Sequence, residues 1–156
     1  MKPLLIAVTT LVCTAFLPAN NTAAESDEAV TEWHYVGGTL SYGGAETDGL
    51  SLYINCESGR LTTTVATYAE LQREGQPVKV KFSSNRGSLT VYARRELSDM
   101  DWYATGKVKD LAHFYALFQT SGNLITEVDG QKMTFALKGA AAEVEQLRKV
   151  CPVRSH

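Results

Sequence analysis

The chain has 156 residues, of which 44% are hydrophobic and 21% charged, and its formal net charge is −2. A chain of that length and apolar content can bury a genuine core, and its slightly acidic balance excludes a general nucleic-acid binder, which needs a basic footprint. Its three cysteines, Cys13, Cys56 and Cys151, form no CxxC pair.

Lys2 supplies a positive start, and Leu4 to Leu17 is apolar apart from three threonines. Pro18 ends the run, and Thr22-Ala23-Ala24 offers small residues for cleavage. This is the pattern of a secretory signal, with cleavage after Ala24 as the first choice and after Ala19 as the alternative. The run is shorter than the ~20 residues that span a bilayer. Residues 1–24 therefore read as a cleavable signal peptide that carries Cys13 away, and 25–156 as one periplasmic or secreted domain. Only Lys2 is lost among the charges, so the mature net charge is −3, and no second apolar run is long enough to span a membrane. In an exported chain the two remaining cysteines most economically form one disulfide, Cys56–Cys151. They are 95 positions apart, for which chain entropy gives roughly 4–5 kcal/mol of stabilisation.

Glu25 to Glu32 is polar and acidic. Trp33 to Val36 reads as a short first strand, and Gly37-Gly38, Gly43-Gly44 and Asp48-Gly49 mark turns and loops around it. Leu50 to Cys56 is the clearest strand, with Leu50, Leu52, Ile54 and Cys56 on one face and Ser51, Tyr53 and Asn55 on the other. Such half-buried alternation belongs in an antiparallel sheet. Glu57 to Arg60 makes a turn, and the β-branched Leu61–Thr67 returns as the hairpin partner. Tyr68–Gly75 reads equally as a helical turn or a loop.

Gln76–Ser83 alternates again, Val78, Val80 and Phe82 inward, and pairs across Asn85-Arg86-Gly87 with Ser88–Arg94, where Leu89, Val91 and Ala93 point inward. The outer face of that hairpin carries Lys79, Lys81, Thr90, Tyr92 and Arg94. Glu96–Asp101 reads as an acidic connector and Trp102–Thr105 as another short strand. From Val108 to Gln119 the period lengthens, with Val108, Leu111, Ala112, Tyr115 and Phe118 forming a helical stripe. Leu124–Val128 and Gln131–Leu137 flank Asp129-Gly130, a strong hairpin signal. A last helix, Ala140–Val150, buries Val144, Leu147 and Cys151. The whole predicts an α+β fold, mainly antiparallel sheet of about seven strands, with two helices and one disulfide.

Trp-Tyr-Ala-Thr at 102–105, Phe114 and Leu117-Phe118, Leu124, Phe135-x-Leu137-x-Gly139, Leu147 and Cys151, together with Leu52-x-Ile54-x-Cys56, resemble small periplasmic proteins of the VasI type, associated with type VI secretion. More loosely they are similar to invasion-associated locus B proteins, another exported β-rich family. The chain departs from the pattern in Asn55 before the cysteine and in Arg94-Arg95-Glu96. The resemblance implies an envelope or secretion-apparatus protein as partner and supplies no catalytic residues.

Three histidines, His34, His113 and His156, are the candidates for a Ser-His-Asp site, without a Gly-x-Ser-x-Gly to accompany them. Glu96, Asp99 and Asp101 read as a solvated connector rather than a paired-carboxylate or calcium site, and the histidines do not cluster for zinc. The remaining chemistry is the face Lys79, Lys81, Tyr92 and Arg94, where cations and an aromatic ring suit an anionic glycan, lipid headgroup or acidic protein. The plain alternative is an ordinary solvent face, since edge strands carry lysine to deter aggregation. Tyr53 and Tyr68 are candidates to extend the patch.

These features predict a non-enzymatic, cofactor-free accessory or binding protein of the cell envelope. An inhibitor or immunity protein blocking an envelope enzyme is the alternative, its plug the loop Gly37–Gly49 with Tyr42, Glu46 and Asp48. A small envelope hydrolase comes third.

Overall fold

The computed structural model describes residues 32–43, 51–68, 71–98 and 100–153. The segment read as a signal peptide, and with it Glu46, Asp48, Asp99 and His156, lies outside them. The described residues form a nine-stranded, wholly antiparallel sheet: β1 (Glu32–Val36), β2 (Thr39–Gly43), β3 (Leu52–Glu57), β4 (Arg60–Thr67), β5 (Pro77–Ser84), β6 (Gly87–Ser98), β7 (Asp101–Lys107), β8 (Asn123–Val128) and β9 (Gln131–Ala136). Two helices accompany it, α1 (Leu111–Ala116) and α2 (Ala140–Val150). The order across the sheet is β1-β2-β3-β4-β7-β6-β5-β8-β9, curled into a half-barrel.

The alternation of apolar residues sets one inward face on every strand. Leu52 and Ile54 of β3 stand opposite Val65 and Thr63 of β4, Val65 opposite Ala104 of β7, and Val80 of β5 opposite both Val91 and Val128. Helix α1 sits in the concavity. Phe114 packs edge-on against Phe82 of β5 with ring centres 5.4 Å apart, and Phe118 just beyond the helix meets Trp33 of β1 at 5.4 Å. Two sheet regions distant in the strand order are thus joined through one short helix.

The outermost strands β1 and β9 share no ladder. Side chains close the seam: Trp33 Nε1 donates to the Ala136 carbonyl at 2.6 Å, and the Ala136 N–H donates to the Tyr42 hydroxyl at 3.4 Å. The Tyr42 and Phe135 rings meet edge-on at 5.2 Å. Helix α2 packs on β1 and β2, burying Ala140, Val144 and Leu147. At its end Cys151 forms a disulfide with Cys56 of β3, the Cα atoms 5.8 Å apart.

Four expectations are revised. The strands number nine rather than about seven, and β2 occupies the stretch read as loop. Its flanking glycines look like loop chemistry, yet Gly37-Gly38 is only a two-residue turn, and Leu40 is fully buried. Glu96–Ser98 and Asp101 form no free connector, because β6 and β7 pair out to Ser98 and Asp101. The helix foreseen over 108–119 shortens to Leu111–Ala116. Val108 still donates its N–H to Leu61 of β4, and the Asp110 carboxylate caps the helix by accepting from His113 N–H at 3.0 Å. Beyond Ala116, Phe118 and Gln119 bond three residues back, so the winding tightens and ends. Lastly Ala112, placed on the apolar stripe, is exposed; Phe114 and Leu117 are buried instead.

Candidate functional site

The convex face of the sheet carries the chemistry the sequence singles out. Because β5 and β6 pair in register, Lys79 lies directly across from Tyr92 and Lys81 across from Thr90. The Lys79 ammonium sits 5.7 Å from the centre of the Tyr92 ring, within cation–π range. That ring is 70% exposed and forms a ridge between two shallow grooves, which both take Pro77, Thr90 and Tyr92 as walls.

The first groove, about 750 Å³, runs toward β8 and its turn, with Lys79, Lys81 and Glu127 along it. The second, about 690 Å³, opens where β6 and β7 part and is lined by Arg94, Lys107, Lys109 and Glu96 among others. The parting has a simple origin. Residues 87–92 of β6 pair only with β5, whereas 93–98 pair with β7, so the sheet forks at the Ala93–Gly106 pair.

Lys79, Lys81 and Tyr92 are brought together as expected. Arg94 shares their face but is engaged, donating from its guanidinium to the Gly75 carbonyl at 2.8 Å. Glu127, opposite Lys81, lies 3.9 Å from the Lys132 ammonium. Tyr53 is further along the convex face, its ring edge-on to Tyr103 at 6.4 Å, and Tyr68 follows β4 at one end of the sheet, off the strip. Lys107 and Lys109 were not foreseen; the fork that turns them toward Tyr92 is a tertiary feature without a local sequence signal.

Tyr42 does not sit on a projecting loop. It lies in β2, and its ring and hydroxyl are used in the seam. His34 and Ser41 face each other across β1 and β2, but the histidine's near neighbour is Glu32, with Nε2 3.9 Å from the carboxylate. His113 is turned toward Asp110. Among the described residues no group of three His, Cys, Asp or Glu side chains is placed to hold a metal ion, and no helix is long and apolar enough to cross a membrane.

Arg95, next to the strip, takes the opposite face. It is 3% exposed, pairs with the Asp129 carboxylate in the β8–β9 turn, and bonds Gln72 and Thr67. These contacts tie the coil after β4 and the β8–β9 turn to the middle of the sheet.

In comparisons with known protein families, curated proteins and solved structures, nothing matches this chain.

Proposed function

We propose that this chain is a non-enzymatic binding module of the cell envelope, exported and then held rigid by its disulfide, that grips an anionic partner along the Tyr92 strip. The observation that carries this reading is the Lys79–Tyr92 pair, an exposed cation and ring side by side with further lysines along the groove on either flank. A flat, shallow strip of that kind suits a surface-to-surface contact with an acidic protein more than the enclosure of a small molecule. On the strength of the resemblance to the VasI type, the partner we propose is a component of a secretion apparatus.

The test is affinity purification from native envelope extract with the exported, oxidised chain as bait, followed by mass spectrometry. One stoichiometric protein, released as salt is raised and absent with Lys79→Glu/Lys81→Glu, supports the reading. Equal capture by wild type and the double variant, with melting temperatures unchanged, sinks it. The second reading is an inhibitor of a basic envelope enzyme, favoured by the acidic surplus of the chain. It is distinguished by a tight one-to-one complex that abolishes the enzyme's activity and survives the Lys79→Glu/Lys81→Glu change.

A further inference from the structure

The sheet has a third edge, inside the fork. Along residues 87–92, β6 pairs with β5 on one side and with no described strand on the other. Along a strand the backbone hydrogen-bonding groups point, residue by residue, to alternate sides. Arg95 turns both of its groups toward the residues that lead into β5. Its N–H donates to the Gln76 carbonyl at 3.0 Å, and its carbonyl accepts from Gly75 N–H at 2.9 Å. Counting back by twos along an unbroken register, Leu89, Val91 and Ala93 also face β5. The Tyr92 carbonyl accordingly faces the other way, toward Gly106 at the vertex of the fork. Beyond it the N–H and C=O of Thr90 and Ser88 point to the open side, where no described residue bonds them.

Nothing on the strand itself guards this edge. Sheet edges are blunted by proline, by charge or by bulges, and Ser88-Leu89-Thr90-Val91-Tyr92 has none of the three. Its β-branched and aromatic residues suit a pleated ladder. The edge is instead recessed, because the groove of about 690 Å³ runs beside Thr90 and Tyr92 with Lys107 and Lys109 on its far side. A second copy has the same edge behind the same wall, so two such edges meet wall first, whereas a single extended chain enters. Charge narrows the occupant further. Lys81 stands across from Thr90, and Arg94, Lys107 and Lys109 line the groove against Glu96 and Asp110. The Asp110 carboxylate is already engaged in capping α1, and Glu96 lies on the half of β6 that pairs with β7. Cations are in excess, and they attract an acidic chain.

We propose that an acidic, extended segment of the partner protein adds to β6 in the fork as a further strand, bonded to the backbone of Ser88 and Thr90. Its apolar side chains lie beside the half-buried Leu89 and its carboxylates toward Lys107 and Lys109. The added strand deepens the function proposed above: it rests on that reading for the acidic partner and supplies the manner in which the partner is held.

The test is backbone amide exchange on the full oxidised chain, read residue by residue by NMR. In the free chain the Leu89 and Val91 amides should exchange slowly behind the β5 ladder, and those of Ser88 and Thr90 fast. A capped peptide of alternating glutamate and valine should slow Ser88 and Thr90 at least about tenfold. Its counterpart methylated at every backbone nitrogen should not. Thr90→Pro removes a donor that faces away from β5, so it should leave the melting curve in place and abolish the protection of Ser88. Equal protection by a lysine–valine peptide or by the methylated one, or none at millimolar peptide, overturns the proposal. So does slow exchange of Thr90 in the free chain; where that slowing grows with protein concentration, the occupant is a second copy. Envelope capture that Thr90→Pro leaves intact sinks the added strand alone. Capture indifferent to Lys79→Glu/Lys81→Glu, with the peptide still protecting Ser88 and Thr90, sinks the strip alone.

Discussion

At the scale of single residues, Tyr115 shows how burial becomes a pH-dependent property. Its hydroxyl donates to the Cys151 carbonyl at 2.7 Å, and the Arg148 guanidinium lies 5.7 Å from its ring centre. Burial pushes the phenol from 10.0 up to about 12, with Arg148 opposing only in part. The folded chain thus holds this proton more tightly than the unfolded one. The stabilisation is complete below pH 10 and is lost as pH rises from 10 toward 12. Tyr115→Phe keeps the ring and removes the donor. It should cost about 1 kcal/mol at neutral pH and flatten the fall in stability above pH 10. Denaturant midpoints across both ranges measure this; parallel alkaline limbs for the two proteins would rule the phenol out. Tyr115 was legible in sequence from its helical spacing. Arg95 was not, although continuing the alternation Leu89, Val91, Ala93 by two residues points it inward, because a buried arginine makes sense only once Asp129 is known to be its partner.

At the scale of elements, period and turn chemistry carried most of the fold. The β3–β4 and β5–β6 hairpins pair as their alternation predicts. The turn between β8 and β9 is at Asp129-Gly130, with φ of 50° and 79°. Helix α2 has the bounds its composition implied. What local pattern does not encode is where one ladder ends and another begins, and the fork between β6 and β7 depends on that. Gly106 stands at the fork, buried. A Cβ built there would fall 2.7 Å from both the Tyr92 carbonyl and Val91 Cγ1, closer than real contacts allow. Gly106→Ala should therefore push the strands apart and cost about 1–3 kcal/mol, the usual price of overpacking. Because the Tyr92 carbonyl must move, the substitution should also weaken capture of an acidic partner. Thermal melts set beside the affinity experiment check both effects, and an unchanged melting temperature would show that the strands yield freely.

At the scale of the whole molecule, the closure of an open curled sheet is the central problem. A half-barrel leaves two strand edges, and exposed edges invite pairing with other chains. Here Trp33 and Tyr42 occupy the backbone of Ala136 at the seam, and α2 covers β1 and β2. Nothing in the local sequence announces that closure, since it joins residues 103 and 94 positions apart. The disulfide is the exception, legible because reading residues 1–24 as a cleavable signal leaves two cysteines and a single pairing, Cys56–Cys151. It ties the end of α2 to β3, next to the strands α2 covers, and so holds the lid on the side where the ladder is missing. The chain-entropy effect is roughly 4–5 kcal/mol for a loop of this size, and measured values more often reach about 2–4. Cys56→Ser should then lower the melting temperature of the oxidised protein by roughly 10 °C. Reductant should shift the wild type by a similar amount and leave the variant where it is. If the variant and the wild type melt together in oxidising buffer, the seam contacts and the packing of α2 alone close the half-barrel, and the cross-link adds nothing to its stability.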